Sequence, residues 1–327
     1  MILLTGGAGC IGSNLHAVLR ERGEETVIVD RLGADGKWRN LRRHPPAQII
    51  AQEALADFLE RRPPLELVCH LGAVTDTTAS DGDLVWQTNV ELPLRLWEWC
   101  VRQQVRFIYA SSAATYGDGS AGFDDDATPA ALARLRPLNL YGWSKHAFDL
   151  RVAELVASQG AHPPQWLGLK FFNVYGPNEY HKGRMVSTVK AKLDELMAEG
   201  SMRLFRSARA DIADGEQRRD FIWVGDVVDV LIWLMERPQV KSGIYNVGTG
   251  RAESYRHLAG AVAAAAGKEP RVAFVAMPHD LSGQYQYRTE ASMQRLRAAG
   301  YTRAFAPLAE GVRRYVQEFL LGADPYR

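Results

Sequence analysis

The fold is indicated first by the stretch Thr5-Gly6-Gly7-Ala8-Gly9-Cys10-Ile11-Gly12, which follows a short apolar run and opens a helical pattern. Gly6 allows a tight turn, Gly9 lets a pyrophosphate approach the backbone, and Gly12 lets the helix pack closely on the strand. The helix that begins with Cys10 and Ile11 presents N–H groups without partners, which attract anions. The stretch therefore predicts a turn that binds a dinucleotide.

Short apolar strands alternate with longer helical patterns through the first half of the chain. The expected strands are Ile2–Thr5, Thr26–Asp30, Gln48–Ala51, Leu67–His70, Arg106–Ala110 and Leu167–Phe172. Helical patterns between them cover Ile11–Arg22, Leu55–Arg61, Leu84–Gln103 and Trp143–Ser158. Because parallel strands need crossover helices of this length, the sequence predicts an α/β fold built on a Rossmann-type doubly wound parallel sheet.

The alternation loosens after Phe172, where helical patterns are joined by irregular segments rich in glycine and arginine. No Pro- or Ser-rich linker and no internal repeat separates the two halves. We therefore predict a dinucleotide-binding domain over residues 1–172, with returning segments from the second half. Residues 173–327 are expected to form mainly a smaller C-terminal α/β part that binds the substrate.

Composition excludes several classes of protein. The chain has 327 residues, 46% hydrophobic and 24% charged, and a formal net charge of +1, which is ordinary for a globular protein and argues against a nucleic-acid partner. Three scattered cysteines are too few for a disulfide framework or a zinc site, so no metal is expected and a cytoplasmic setting fits best. The chain enters a strand at Ile2, which leaves no room for a signal peptide, and no apolar stretch is long enough to span a membrane.

Cofactor preference is indicated by the end of the second strand. Asp30 stands where an acidic side chain would meet the adenosine ribose hydroxyls, which favours NAD. Arg31 and Lys37 follow closely and could hold a 2′-phosphate, which favours NADP. We expect NADP, with NAD possible, and interpret Arg42 and Arg43 as solvated cations of the same loop.

A second motif, Tyr141-Gly142-Trp143-Ser144-Lys145, places a phenol and an ammonium one helical turn apart. A nearby lysine and a positively charged nicotinamide both favour phenolate, so we expect the pKa of Tyr141 to be lowered. Such a tyrosine can exchange a proton with a substrate hydroxyl, and Lys145 can also hold the nicotinamide ribose. Ser112, at the end of the preceding strand, can hydrogen-bond the reacting oxygen. These residues predict acid–base catalysis coupled to hydride transfer.

The glycine turn, the serine-bearing strand end and the tyrosine–lysine pair together resemble the extended short-chain dehydrogenase/reductase superfamily. Within it, the chain is similar to the ADP-L-glycero-D-manno-heptose 6-epimerases over essentially its whole length. The stretches that carry this resemblance are Tyr109–Gly117, Pro137–Gly142, Phe171–Gly183, Arg218–Phe221, Asn246–Ser254 and Gly283–Gln286. The resemblance implies NADP-dependent epimerisation at C-6 of ADP-D-glycero-D-manno-heptose through a transient ketone. It also implies a homo-oligomer that supplies heptose for the lipopolysaccharide core.

The same resemblance implies roles for further residues. Hydride must leave one face of C-6 and return to the other, so a second acid/base is useful, and Lys182 resembles that group. The cofactor contacts it implies are Leu71, Gly72, Ala73, Asn89 and Val174. The substrate contacts it implies are Asn173, Arg184, Phe205, Arg219 and Tyr285, with Arg219 suited to a diphosphate.

Some positions depart from the family pattern. Arg184 replaces an expected small hydroxyl residue, so a substrate contact there would differ. The loop Ala208–Gln217 is longer than expected and would border the nucleotide, which leaves the base preference open. Leu71 replaces an acidic residue found in some members near the cofactor.

Three other functions compete with this interpretation. A 4,6-dehydratase would carry an acidic pair directly after its catalytic hydroxyl residue, but Ser112 is followed by Ala113 and Ala114. A UDP-hexose 4-epimerase, or another epimerase or reductase of the superfamily, shares Ser112, Tyr141 and Lys145 and is the main alternative. A non-catalytic dinucleotide sensor is a third alternative, although it has no need of the tyrosine–lysine pair.

Overall fold

The computed structural model of the protein describes residues 1–278 and 285–327, and strands alternate with helices through its first half. The strands of this half are β1 (Ile2–Thr5), β2 (Thr26–Val29), β3 (Gln48–Ile50), β4 (Leu67–His70), β5 (Arg106–Ser112) and β6 (Trp166–Phe171). Its α-helices are α1 (Cys10–Glu21), α2 (Leu55–Glu60), α3 (Gly82–Trp86), α4 (Leu92–Gln103), α5 (Pro129–Leu132) and α6 (Leu140–Ala157). Three short 3-10 turns cover Lys37–Leu41, Gln52–Ala54 and Ala113–Tyr116, and a π-helical turn, Gln87–Glu91, joins α3 to α4.

The second half contains shorter strands and further helices among its described residues. Its strands are β7 (Asn173–Tyr175), β8 (Met202–Phe205), β9 (Arg218–Arg219), β10 (Phe221–Trp223), β11 (Gly243–Val247), β12 (Glu253–Ser254) and β13 (Val272–Val275). The longer helices are α7 (Thr188–Glu199), α8 (Val224–Met235) and α9 (Tyr255–Ala265). The last helices are α10 (Gln294–Ala298) and α11 (Leu308–Arg314), which continues into a π-helical turn, Tyr315–Leu320. A 3-10 segment, Tyr180–Met185, connects β7 to α7.

Seven strands of the described chain form one parallel sheet in the order β11-β6-β5-β4-β1-β2-β3. The sequence order changes direction at β1, which pairs with both β2 and β4. Ligands bind at such a switch point, beyond the carboxyl ends of the strands. The register there aligns Thr5 with His70 and His70 with Tyr109, so β1 and β4 end level with each other while β5 continues beyond them to Ser112.

Both faces of the sheet are covered, because successive side chains of a strand point to opposite faces. Leu3 packs into a buried cluster with Trp97 of α4 and Phe148 of α6. Its neighbour Leu4 packs on the other side, in a cluster with Leu15 of α1 and Leu231 of α8. A third cluster lies mainly among the helices of the second half, α7, α9 and α11.

The predicted fold class is confirmed by this sheet. The short strands β7 to β10, two to four residues each, were not predicted, because so few residues show no periodic pattern. The predicted boundary between residues 172 and 173 falls between β6 and β7, and β11 returns from the second half to pair with β6. Among the described residues, no helix has the length and apolar character needed to cross a bilayer.

Candidate active site

The glycine turn between β1 and α1 is packed as closely as the sequence predicts. Gly6 adopts a φ of +68°, and a Cβ there would lie 2.6 Å from the backbone nitrogen of Gly72. A Cβ on Gly12 would lie 2.1 Å from the carbonyl oxygen of Gly6. Only glycine fits both positions, and the first N–H groups of α1 are left free to meet an anion. This turn therefore fits the pyrophosphate of a dinucleotide.

Asp30 follows β2 and is held by three donors. Its Oδ2 accepts from the backbone N–H of Ala8 at 2.8 Å, and its Oδ1 accepts from the backbone N–H of Arg31 at 2.7 Å and from Lys37 Nζ at 2.5 Å. Arg31 also pairs with Glu53, and both of these side chains are more than half exposed. The structure thus brings the predicted acid and the two predicted cations together at the end of β2.

Buried polar groups support the turn that follows β4. Thr5 Oγ1 lies 2.7 Å from His70 Nδ1 and accepts from the backbone N–H of Gly72 at 3.1 Å. Burial, with a smaller contribution from the charge of Lys145, lowers the pKa of His70 to about 3, so this ring is neutral. His70, at the end of β4, is therefore a buried structural residue.

Asn89, which the resemblance assigns to the cofactor, lies beneath the turn 71–75 and is not among the residues that line the two cavities described below. It is fully buried, and its amide bonds both backbone polar groups of Val74 and the hydroxyl of Ser144. Asn89 acts as a support for the turn 71–75 and links that turn to α6.

Ser112, Tyr141 and Lys145 are brought together by β5 and α6. Ser112 is the last residue of β5, and its Oγ accepts from the backbone N–H of Ala114 at 3.1 Å. Asn139 caps α6 by accepting from the backbone N–H of Gly142, which places Tyr141 in the first turn of the helix. Lys145 is 3% exposed and donates to the carbonyl oxygen of Ala110 at 2.9 Å.

The protonation of this group differs from the sequence-based expectation. Burial raises the pKa of Tyr141, the hydrogen bond with Ser112 lowers it, and the charge of Asp149 raises it further. Burial lowers the pKa of Lys145 to about 8, against an opposing effect of Asp149. The protein groups alone therefore raise the pKa of Tyr141, whereas the sequence predicts a lowered pKa, because burial outweighs the hydrogen bond with Ser112. The positive ring of a nicotinamide is the charge that would favour the phenolate.

A buried ionic network that the sequence did not reveal lies behind this group. Asp149, one turn after Lys145 on α6, accepts from the hydroxyls of Tyr109 at 3.0 Å and Ser111 at 2.6 Å. Its Oδ2 also lies 3.4 Å from Lys170 Nζ, and both charged side chains are at most 1% exposed. Lys170 in turn donates to Thr115 Oγ1 at 2.7 Å. The network joins α6 to β5 and β6.

Two adjoining cavities collect most of the predicted residues. The first, here called the glycine-turn cavity, has a volume of about 520 Å³ and is lined by eleven predicted cofactor residues: Gly6, Gly9, Cys10, Ile11, Gly12, Asp30, Arg31, Lys37, Leu71, Gly72 and Ala73. The second, the tyrosine cavity, has a volume of about 350 Å³ and is lined by Ser112, Tyr141, Lys145, Asn173, Val174 and Lys182. Val174 thus lines the tyrosine cavity and not the glycine-turn cavity. Lys182, Ile11 and Leu71 line both, so the cavities meet at these residues.

Lys182 lies on the 3-10 segment that connects β7 to α7. Its side chain is 27% exposed, and its Nζ lies 3.9 Å from the buried carboxylate of Glu179. The neighbouring His181 lines the glycine-turn cavity, and its Nδ1 lies 3.2 Å from Asn40 Nδ2. Burial, Lys37 and Lys182 lower the pKa of His181 to about 4, so this ring is neutral.

The remaining predicted substrate residues lie outside both cavities. Arg219 stacks on the ring of Tyr285 at 4.9 Å, and Phe205 meets the same ring edge-on, with centroids 6.3 Å apart. These three form one cationic and aromatic cluster. Tyr287 packs edge-on against Tyr285 and accepts a hydrogen bond from the backbone N–H of Ala208, which links the loop from Ala208 to the cluster. Arg184 is apart from them; its side chain is 72% exposed and pairs with Asp76. Gly283 and Gln284, part of the resemblance, lie outside the described residues.

Comparison with known proteins agrees with this geometry. Residues 2–248 match the NAD dependent epimerase/dehydratase family. The ADP-L-glycero-D-manno-heptose-6-epimerase of Fusobacterium nucleatum subsp. nucleatum is 44% identical, with 100% of each chain covered. The crystal structure of Helicobacter pylori ADP-L-glycero-D-manno-heptose-6-epimerase superposes with a TM-score of 0.79 at 30% identity and covers 97% of this chain and 95% of that one. Thermus thermophilus UDP-glucose 4-epimerase, solved with NAD, gives 0.73 at 28% identity, with 98% of this chain and 99% of that one covered.

The close packing of Gly12 generates a prediction. We expect Gly12→Ala to weaken dinucleotide binding by roughly tenfold or more, because the added methyl group would displace the Gly6 carbonyl and distort the turn. Titration calorimetry with NADP and with NAD measures the loss. Gly260→Ala is the matched control, since a Cβ at this α9 position meets nothing within 4 Å. Equal affinity in the Gly12 variant and the control would contradict the assignment of the turn.

Proposed function

We propose that this chain, which belongs to the NAD-dependent epimerase/dehydratase family, inverts C-6 of ADP-D-glycero-D-manno-heptose to give ADP-L-glycero-D-manno-heptose. The observation that carries the proposal is the meeting of Ser112, Tyr141, Lys145 and Lys182 at one cavity that adjoins the glycine turn. A cavity with one acid/base would serve an oxidoreductase. Two acid/base groups, one on α6 and one on the segment after β7, suit an epimerase in which hydride leaves one face of a carbon and returns to the other.

Support for the substrate comes from the relatives and from the chain's own charges. The Fusobacterium relative, alike over its full length, is named for ADP-heptose epimerisation. Arg219 is 6% exposed and stacks between Tyr255 and Tyr285, and such a guanidinium can bind a diphosphate in bidentate fashion. Asn173, at the start of β7, would contact the sugar in the tyrosine cavity.

Tyr141 would act as acid/base for one epimer. A nicotinamide held above the glycine turn would supply reversible hydride transfer with C-6. Tyr141 takes the proton of the C-6 hydroxyl while Ser112 holds the same oxygen by a hydrogen bond. Lys145, fixed by its bond to the carbonyl of Ala110, would hold the nicotinamide ribose. Phe171 and Phe172 line this cavity and would exclude water from the ketone.

Lys182 would act as acid/base for the other epimer. After the ketone turns over within the tyrosine cavity, its oxygen faces a second donor, and Lys182 gives the proton as hydride returns. The ammonium lies where the two cavities meet, within reach of groups in either one. Tyr141 gains the proton of the C-6 hydroxyl and Lys182 gives a proton to the product oxygen, so the total number of protons is unchanged. Before the next turnover, Tyr141 releases its proton to solvent and Lys182 takes one up.

NADP is the proposed cofactor within the nicotinamide-dependent family. Lys37 lies beside Asp30 and lines the glycine-turn cavity, where it could pair with a 2′-phosphate. The carboxylate of Asp30 accepts hydrogen bonds from Ala8, Arg31 and Lys37, and the ammonium of Lys37 balances its charge. It therefore repels a 2′-phosphate less than a free carboxylate would.

The biological setting follows from the same proposal. We place the enzyme in the cytoplasm, as a homo-oligomer that supplies heptose for the lipopolysaccharide core. The proposed division of labour assigns residues 1–172 mainly to the dinucleotide and residues 173–327 mainly to the sugar nucleotide.

The substrate is tested by incubating the protein with ADP-D-glycero-D-manno-heptose and NADP while both C-6 epimers are followed by NMR. We expect a mixture of the two epimers with no net reduction of the cofactor. Interconversion of UDP-glucose and UDP-galactose in the same preparation, without conversion of the heptose, would replace the proposal with UDP-hexose 4-epimerisation.

Tyr141→Phe is expected to lower epimerisation by roughly 100-fold or more while cofactor binding persists, because only the phenol that moves the proton is removed. Initial rates with the heptose and a cofactor titration measure the two effects separately. Tyr301→Phe is the control, since Tyr301 packs against Trp233 and Phe305 and lines neither cavity. A Tyr141 variant with unchanged turnover would exclude the acid–base role.

Lys37→Met is expected to weaken NADP binding by roughly tenfold or more relative to NAD, because the variant cannot make a charge-assisted hydrogen bond to the 2′-phosphate. Dissociation constants for both dinucleotides give the ratio. Arg43→Met is the matched control, since Arg43 lies in the same region but pairs with Asp324 at 3.1 Å and does not line the cavity. An unchanged ratio in the Lys37 variant would remove the support for NADP.

A further inference from the structure

Glu179 is a fully buried carboxylate for which the proposed reaction has so far given no role. Its Oε1 accepts from the hydroxyls of Ser187 at 2.6 Å and Tyr315 at 2.7 Å, and its Oε2 accepts from the backbone N–H of Ser187 at 2.6 Å. Burying an ionised carboxylate is costly unless it is hydrogen-bonded and paired. The three donors satisfy its hydrogen bonds, but none of them carries a full charge.

The cation that faces this carboxylate is Lys182. Its Nζ lies 3.9 Å from Oε2, and its backbone N–H donates to the Glu179 carbonyl at 3.0 Å, which closes one turn of the 3-10 segment. Ser187 caps α7 and so places the carboxylate at that helix N-terminus, while Tyr315 fixes it to the last helix. Glu179 is therefore held rigidly by two helices, whereas the ammonium of Lys182 is part-exposed at the cavity.

We propose that Glu179 is a positioning residue that holds the ammonium of Lys182 at the junction of the two cavities. This inference rests on the proposed function, in which Lys182 is the second acid/base. A lysine side chain has four rotatable bonds and, at 27% exposure, room to swing into solvent. A fixed carboxylate behind it limits that motion and favours the side-chain conformation that faces the tyrosine cavity. Glu179 also lines the tyrosine cavity, and in the proposed role it acts through Lys182.

The test is Glu179→Gln, which removes the charge and keeps the shape. The amide oxygen can accept from the Ser187 N–H while its NH₂ group donates to the hydroxyl oxygens of Ser187 and Tyr315. Each C-6 epimer is mixed separately with enzyme that holds oxidised cofactor, and formation of reduced nicotinamide is followed through the first turnover. We expect a loss of roughly 10- to 100-fold for the epimer served by Lys182, and a change within about twofold for the epimer served by Tyr141.

Tyr315→Phe is the matched control, because it removes one hydrogen bond from Glu179 but leaves the charge in place. We expect it to affect both epimers equally and slightly. The unfolding midpoint and the cofactor dissociation constant of each variant show whether folding is retained. Equal loss for both epimers in Glu179→Gln would overturn the inference, because a general structural effect of the substitution would slow both epimers alike. No loss for either epimer would also overturn it.

Lys182→Met separates this inference from the function on which it rests. We expect this variant to lose activity towards the same epimer as Glu179→Gln, and the double variant to be no slower than Lys182→Met alone. Additive losses in the double variant would show that Glu179 does not act through Lys182. If Lys182→Met transforms both epimers at the normal rate, the second acid/base of the proposed function is wrong. If Lys182→Met is selective and Glu179→Gln is not, only the positioning role fails.

Discussion

The carboxylate of Asp149 holds α6 against β5 and β6, and the arrangement of the catalytic groups depends on that interaction. Its partners, Tyr109, Ser111 and Lys170, belong to the two strands, and all of these groups are buried. Ser112 follows Ser111 directly on β5, while Lys145 precedes Asp149 by one helical turn. A shift of α6 along the sheet would leave a buried charge without its donors, which costs far more free energy than the separation of two apolar side chains. The network thus fixes the distance between the serine on the strand and the tyrosine on the helix.

A second constraint acts at the other side of the site. The 3-10 segment that carries Lys182 is held by the packing of Tyr180 on the third cluster and by polar contacts on either side. Asn178, just before this segment, is fully buried, and its side chain donates to the hydroxyl of Ser13 in α1. Glu179 ties the segment to α7 and to the last helix. Tyr141 and Lys182, the two proposed acid/base groups, therefore stand on separately anchored elements around one cavity, an arrangement that would suit a substrate that turns over between two hydride transfers.

The features that could be predicted from the sequence are those that depend on residues close together in the chain. The glycine spacing, the tyrosine–lysine pair and the alternation of strands and helices each depend on neighbours within about one turn or one strand, and the fold class and the family predicted from them are confirmed. Asp149 and Lys170 could not be paired from the sequence, because the pairing depends on how α6 packs on β6. Asn89 was assigned to the cofactor by resemblance alone, and its hydrogen bonds to Val74 and Ser144 could not be predicted from the sequence, because they depend on how the turn 71–75 packs on α6.

In the proposed reaction one hydride leaves C-6 and returns to the same carbon, while Tyr141 and Lys182 transfer protons to and from its oxygen. The most direct test uses ADP-D-glycero-D-manno-heptose that carries deuterium at C-6, converted by the enzyme in ordinary water. The account predicts that the ADP-L-glycero-D-manno-heptose formed retains its deuterium at C-6 in full, as measured by NMR and mass spectrometry. Replacement of that deuterium by solvent hydrogen would contradict the account, because it would show that C-6 is deprotonated and not oxidised.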